Sequence, residues 1–170
     1  YPGLYDTISY SFGQIFFLIN KDFYIEYLAE LMHFSNFVFA LLGVLGLFLL
    51  TKKLFNNDIA IIAALITLLN PFFFGHMGIN PKDTVLFTFL IWTIYYLIEY
   101  LEKINVNRLK YLIILSIMIG LGSNTRITFL SLLFPLILFG LYYVWINTKS
   151  IKIIFIDLFT ISIITFLLII

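Results

Sequence analysis

The sequence predicts an all-α, polytopic transmembrane helix bundle, and three features carry that prediction. Of its 170 residues, 62% are hydrophobic and 11% are charged, and the mean hydropathy is +1.08. Soluble domains carry about 25% charged residues, so these charges are too few to cover a water-facing surface. Apolar runs close to the ~20 residues of a membrane-spanning helix recur along the chain, and the basic residues alternate between successive loops.

Residues 1–34 are predicted to form an amphipathic helical segment at the outer membrane interface. Apolar side chains recur there at helical spacing, with polar residues between them. The aromatic content suits the interface between lipid and water. We expect two short helices joined at residues 20–22, with Asp22 capping the second.

Residues 35–170 are predicted to form one transmembrane domain with about six spans. The predicted spans are residues 35–50, 59–74, 84–100, 111–123, 127–146 and 151–170. Pro71 is expected to end the second helix early, and Asn80–Pro81 to start the third. Glycines in the first and fourth spans are expected to allow close helix packing. Asp157, near the start of the last span, is expected to reach the interface or to pair with Lys152.

Basic residues assign the loops to the two sides of the membrane. Seven of the ten lie in three alternate loops: Lys52, Lys53, Lys103, Arg108, Lys110, Lys149 and Lys152. The positive-inside rule places these loops in the cytoplasm, so residues 76–83 and 123–126 face outward. We therefore expect an integral, multi-pass protein of the bacterial inner (plasma) membrane, surrounded by membrane lipids, with its active face outward.

Charge and cysteine content exclude several functions. A net charge of +1 is too small for a nucleic-acid partner. The sequence has no cysteine, which excludes disulfides, thiolate metal sites and cysteine nucleophiles.

The densest polar cluster covers residues 75–83, between the second and third spans. A structural role explains part of it, since Asn80 is a favoured N-cap and Asp83 interacts well with the helix dipole. That role leaves His76 and Lys82 unexplained. Lys82 at a helix N-terminus attracts anions, and a neighbouring carboxylate could act as a general base or hold a divalent cation. Together these residues suggest a phosphorylated ligand.

Arg126 and Asp6 are the other candidates. Arg126 interrupts an apolar region after three small polar residues. It either snorkels to lipid headgroups or clamps a phosphate or carboxylate. Asp6 lies on the outward side and is either a weak catalytic candidate or an ordinary helix cap.

Three stretches, in their order along the chain, resemble a known family. The first runs from a basic pair in residues 50–55 through an Ala-rich span to Asn70–Pro71; the second is residues 74–83; the third is residues 120–128, Gly-Leu-Gly-Ser-Asn-Thr-Arg-Ile-Thr. They resemble the C-type glycosyltransferase superfamily, and within it the protein mannosyltransferase-like branch, glycosyltransferase family 39. The resemblance covers about residues 1–146.

The resemblance implies a polyprenyl-phosphate sugar as donor and a protein, lipid or glycan as acceptor. A carboxylate would activate the acceptor, the anomeric carbon would be inverted, and lipid phosphate would leave. By matching motif, Asp83 would be the second acidic residue, near the acceptor or a metal. Lys82 and Arg126 would bind phosphate, and His76 and Asn80 would line the site. No cofactor is certain, although some members use a divalent cation.

The sequence departs from the family in one respect. The family's main catalytic carboxylate lies early in the first outer loop, and we expect it to precede Tyr1, with Asp6 a poor substitute. The chain is therefore expected to be a fragment that is inactive alone. Two other functions stay open: a transporter or flippase for a lipid or small anion, and a non-enzymatic membrane subunit. Charges confined to the span ends argue against the transporter.

Overall fold

The computed structural model describes residues 4–19 and 27–169, and eight helices lie within them. They are α1 (Leu4–Ile19), α2 (Leu28–Leu54), α3 (Asn57–Leu69), α4 (Pro71–Ile79), α5 (Pro81–Glu102), α6 (Arg108–Thr125), α7 (Thr128–Thr148) and α8 (Ile151–Ile169). Short loops join them from α2 onward. This architecture confirms the predicted all-α membrane class.

Four of the described helices, α2, α5, α7 and α8, are long and apolar enough to cross a membrane. The pair α3 and α4 makes a fifth if it is counted as one span, bent by 69° at its break. Helix α6 contains the predicted fourth span but is not in this set, because polar residues occupy both of its ends. The count of six spans therefore stays a prediction.

The N-terminal segment differs in part from the prediction. Helix α1 accounts for the first amphipathic pattern. The predicted junction at residues 20–22, and Asp22 with it, lies outside the described residues. Helix α2 begins at Leu28, well before the predicted span start at residue 35, and its first turns carry the exposed residues Glu30 and His33. These charged or polar side chains face away from the packed surface and therefore do not end the helix.

The break between α3 and α4 follows from local chemistry. The side-chain oxygen of Asn70 accepts hydrogen bonds from the backbone N–H groups of Phe72 and Phe73, at 2.9 and 3.2 Å. Pro71 occupies the first turn of α4, where its missing N–H costs nothing. The prediction that Pro71 ends the preceding helix is confirmed.

The chain divides into two units, Tyr1–Thr88 and Phe89–Ile170. In the first unit, α2 packs against α3 and α4. A Cβ added at Gly43 would lie 2.8 Å from Thr88 Oγ1, so this glycine allows α2 and α5 to approach closely. Thr88 Oγ1 also donates to the carbonyl oxygen of Phe39 at 2.7 Å. A close contact at Gly43 and a part-buried hydrogen bond thus join the same two helices.

In the second unit, the most extensive packing joins α6 to α8. A Cβ at Gly120 would lie 3.0 Å from Leu168 Cβ and 3.3 Å from Thr165 Cα, so α6 and α8 meet almost backbone to backbone. The predicted packing role of the fourth-span glycines is confirmed here. Phe129 and Leu133 of α7 are fully or almost fully buried and complete the core.

The predicted pairing of Asp157 with Lys152 is wrong. Arg108 Nη2 lies 3.3 Å from Asp157 Oδ1, and Tyr100 Oη donates to Asp157 Oδ2 at 2.5 Å. Asp157 is 3% exposed, so its side chain is enclosed by protein; its reach to the membrane interface stays a prediction. It is held inside the second unit by residues from two other helices.

Candidate functional site

The candidate site is the corner between α4 and α5. Asn80 lies at this corner, and its side-chain Nδ2 donates to Asp83 Oδ2 at 2.7 Å. In return, the backbone N–H of Asp83 donates to Asn80 Oδ1 at 3.3 Å. The predicted N-cap role of Asn80 is confirmed. The reciprocal pair also holds the Asp83 carboxylate at the positive end of the α5 dipole.

The carbonyl oxygen of His76 fixes this corner to the rest of the first unit. It accepts hydrogen bonds from Asn80 N, Thr84 Oγ1 and Asn36 Nδ2, at 3.0, 3.2 and 3.4 Å. Thr84 Oγ1 also lies 2.8 Å from the carbonyl oxygen of Asn80. Because Asn36 belongs to α2, one carbonyl joins three helices and limits the movement of the corner.

Asn36 and Thr84 were not singled out from the sequence. Both are buried, at 1% and 3% exposure. A buried polar side chain needs a hydrogen-bond partner. A polar residue inside an apolar run therefore indicates that such a bond exists. That signal gives no partner, since Asn36 and His76 are 40 positions apart.

The side chains at the corner surround an open hollow of about 160 Å³. Its walls are Phe72, Phe73, His76, Asp83, Thr84 and Phe87. The ring centroids of Phe72 and His76 are 4.3 Å apart, so His76 is supported on an aromatic face. Lys82 and Asp83 are both exposed. The corner therefore offers a cation, a carboxylate and an imidazole next to an aromatic wall.

Arg126 and Asp6 belong to other helical elements of the chain. Arg126 is in the second unit, where it follows α6, and its backbone N–H donates to the carbonyl oxygen of Gly122 at 3.2 Å. Its convergence with Lys82 and Asp83 stays a prediction, because those two residues belong to the first unit. Asp6 is exposed in the first turn of α1, inside the helix, and both roles considered for it stay predictions.

A divalent cation would find few ligands at this corner. Among the described residues, no group of three or more His, Asp or Glu side chains is placed to hold a metal ion. Magnesium sites can rely on one or two carboxylates plus substrate phosphates. Asp83 supplies one such carboxylate, and its role in holding a divalent cation stays a prediction.

The second unit holds a charged cluster that the sequence did not predict. Lys103 Nζ lies 2.5 Å from Glu99 Oε2 and 2.9 Å from Tyr111 Oη. The hydrogen bonds to Glu99 and then to Tyr111 raise the pKa of Lys103. This cluster joins the end of α5 to the start of α6 and keeps Lys103 charged.

The helices long and apolar enough to cross a membrane define an integral, multi-pass membrane protein. A family model described as dolichyl-phosphate-mannose-protein mannosyltransferase matches residues 27–170. The chain belongs to that family of membrane glycosyltransferases, and the resemblance inferred from its sequence is confirmed. No curated protein and no solved structure matches the chain.

Proposed function

We propose that this protein transfers a sugar from a polyprenyl-phosphate donor to a hydroxyl or amine of an acceptor at the outer membrane face, with inversion. The observation that carries the proposal is the exposed Lys82–Asp83 pair in the first turn of α5, in a chain of the mannosyltransferase family. Family membership favours this function over a transporter or a non-enzymatic subunit.

Asp83 acts on the acceptor side of the reaction. Asn80 Nδ2 holds one carboxylate oxygen at 2.7 Å, which fixes the orientation of the group. A carboxylate fixed in this way can accept a hydrogen bond, or the proton itself, from an acceptor hydroxyl. The acceptor oxygen then bonds to the anomeric carbon, the bond from that carbon to the phosphate oxygen breaks, and lipid phosphate leaves with the bonding electrons.

Lys82 acts on the donor side. Its ammonium group and its backbone N–H lie at the positive end of the α5 dipole, which suits a phosphate; Pro81 has no N–H, and those of Asp83 and Thr84 donate to Asn80. His76 and Asn80 line the adjoining space. Independently of any placement beside Lys82, we propose that Arg126 binds a phosphate oxygen, since a guanidinium suits bidentate binding. We derive no step through a metal ion.

The decisive experiment is sugar transfer by the full-length protein in proteoliposomes, with polyprenyl-phosphate mannose as donor probe and a hydroxyl acceptor peptide. Asp83→Asn keeps an oxygen that can accept from Asn80 and removes the charge. General acid–base groups contribute roughly 10²–10⁴-fold, so we expect transfer to fall at least about 100-fold.

Asp58→Asn is the matched control. Asp58 is also an exposed acid in the first turn of a helix, α3, and it follows the capping residue Asn56. We expect Asp58→Asn to keep transfer within about twofold of the unmodified protein, in line with most exposed surface substitutions. Equal transfer by the Asp83→Asn variant and the unmodified protein would remove Asp83 from the reaction. Transfer from a nucleotide sugar, and not from the lipid donor, would overturn the donor class.

A further inference from the structure

We propose that Asn124 is a positioning residue for Arg126, and this inference rests on the phosphate-binding role proposed for Arg126. Asn124 Nδ2 donates to the carbonyl oxygen of Leu168 at 2.6 Å. Asn124 is in the last turn of α6, and Leu168 is near the end of the described part of α8. The bond therefore fastens the end of α6 to a neighbouring helix.

Two polar residues beside Asn124 do not make a comparable link. Ser123 Oγ donates to the carbonyl oxygen of Ile119, and Thr125 Oγ1 to that of Leu121, at 2.7 and 3.2 Å. Both bonds stay inside α6, so they satisfy the hydroxyl groups without fixing the helix to anything else. Of the three polar residues before Arg126, Asn124 is the one whose bond here crosses to another helix.

Arg126 has little freedom to move independently of this helix end. Its backbone N–H donates to the carbonyl oxygen of Gly122 at 3.2 Å, and its own carbonyl oxygen accepts from Phe129 N at 2.9 Å. The backbone of Arg126 is thus bonded to α6 on one side and to α7 on the other. A displacement of the last turn of α6 would carry Arg126 with it.

The packing next to Asn124 shows why its hydrogen bond to Leu168 sets the register between α6 and α8. Gly120 brings the α6 backbone against Thr165 and Leu168 of α8. Close contact with apolar side chains resists separation of the helices but is weakly directional. A 2.6 Å hydrogen bond is directional, so it fixes the rotation and the axial position of the helix end. Those two quantities decide where the Arg126 side chain begins.

The test is a double-mutant cycle in the full-length protein, with polyprenyl-phosphate mannose as donor probe. Asn124→Asp keeps the shape of the side chain and removes the donor, while Asn124→Gln keeps a donor amide. We expect Asn124→Asp to raise the KM for the donor about tenfold with little change in kcat, since small misplacements of a binding group cost up to ~10²-fold. Asn124→Gln should recover part of this loss.

Arg126→Gln is the second arm of the cycle, and Asn147→Asp is the matched control. Asn147 is exposed, and its amide donates within its own helix to the carbonyl oxygen of Tyr143, so we expect no change in donor KM. If Asn124 acts through Arg126, the double variant is no worse than Arg126→Gln alone. If the increases in donor KM of the two single variants multiply in the double variant, the inference is overturned and the proposed function stands. An unchanged donor KM in Arg126→Gln would instead remove Arg126, and with it the inference.

A structural measurement tests the same inference without catalysis. Within these 170 residues there is no native cysteine, so once any cysteine elsewhere in the full-length protein is replaced by serine, a spin label attaches only through Ile127→Cys, at a side chain that is 67% exposed. We expect Asn124→Asp to increase the mobility of that label, and Asn147→Asp to leave it unchanged. An identical spectrum in both backgrounds would show that Asn124 does not fix the end of α6, whatever the enzyme assay gives.

Discussion

Replacing Arg108 with leucine should destabilise the second unit strongly. Arg108 Nη2 is 3.3 Å from Asp157 Oδ1, and the two side chains are 18% and 4% exposed. The N–H groups of Arg108 are not aligned for a hydrogen bond to this oxygen, so the attraction is mainly that of an ion pair. Without Arg108, the Tyr100 hydroxyl is the one hydrogen-bonding partner that the described residues provide for the Asp157 carboxylate.

The size of the effect follows from the distance. At an effective dielectric constant of about 20, two unit charges 3.3 Å apart attract each other by about 5 kcal/mol. Measured losses on removing one partner of a buried ion pair are about 3–5 kcal/mol, because the other charge stays buried and uncompensated. We therefore expect Arg108→Leu to lower the free energy of unfolding by about 3–5 kcal/mol.

The assay is equilibrium unfolding of the full-length protein in mixed detergent micelles, applied to Arg108→Leu, Asp157→Leu and the double variant. Asp157→Leu should cost less than Arg108→Leu, because Arg108 is the more exposed partner and can turn toward water. The double variant should be close to the unmodified protein, since no charge remains buried. Lys110→Leu, at an exposed position on the same helix, is the control. A loss below about 1 kcal/mol for Arg108→Leu, the range of exposed pairs, would refute the reasoning.

Three further predictions concern packing, capping and pH. A Cβ at Gly122 would lie within 2.8 Å of three ring atoms of Phe129, which is fully buried, so Gly122→Ala should cost about 1–3 kcal/mol of unfolding free energy. Asn70→Ala removes the acceptor of two backbone N–H groups at the start of α4 and should cost about 0.5–2 kcal/mol in the same assay. Hydrogen bonding to Glu99 raises the folded-state pKa of Lys103. The charged Lys103 should therefore contribute its full stabilisation to the folded state below the unfolded-state pKa, and this stabilisation should vanish as the pH rises through the folded-state pKa. Lys103→Met should therefore lower the melting temperature at pH 8 and converge with the unmodified protein at strongly alkaline pH; a pH-independent difference would contradict this.

Helix ends were predictable from sequence because capping acts over three or four residues. Pro71 predicted the end of one helix and Asn80–Pro81 the start of another, and both boundaries are present. The Asn80–Asp83 hydrogen bond belongs to the same class, since both partners lie within one helical turn. The local geometry of the candidate site was therefore accessible without coordinates.

Partners across helices were not predictable, and Asp157 shows why. The sequence indicated that a carboxylate within a span needs a partner, and Lys152 was the nearest basic residue along the chain. Five residues along a helix with 3.6 residues per turn place two side chains about 140° apart, so Lys152 points away from Asp157. The actual partner, Arg108, is on another helix, and a single sequence does not show which helices are neighbours.

The polar residues of α6 explain why its composition leaves it out of the helices that are apolar enough to cross a membrane. Arg108 and Asn124, near its two ends, lower its average hydropathy, yet Arg108 forms an ion pair with α8 and Asn124 a hydrogen bond to it. The cost of bringing a polar group into the membrane falls when it meets a partner there. Average hydropathy counts such residues as if they faced lipid, so it underestimates helices whose polar groups are paired inside the protein. Arg108 and Asn124 therefore weaken the membrane-span signal of α6 while they fix its register against α8 and, through Asn124, the proposed position of Arg126.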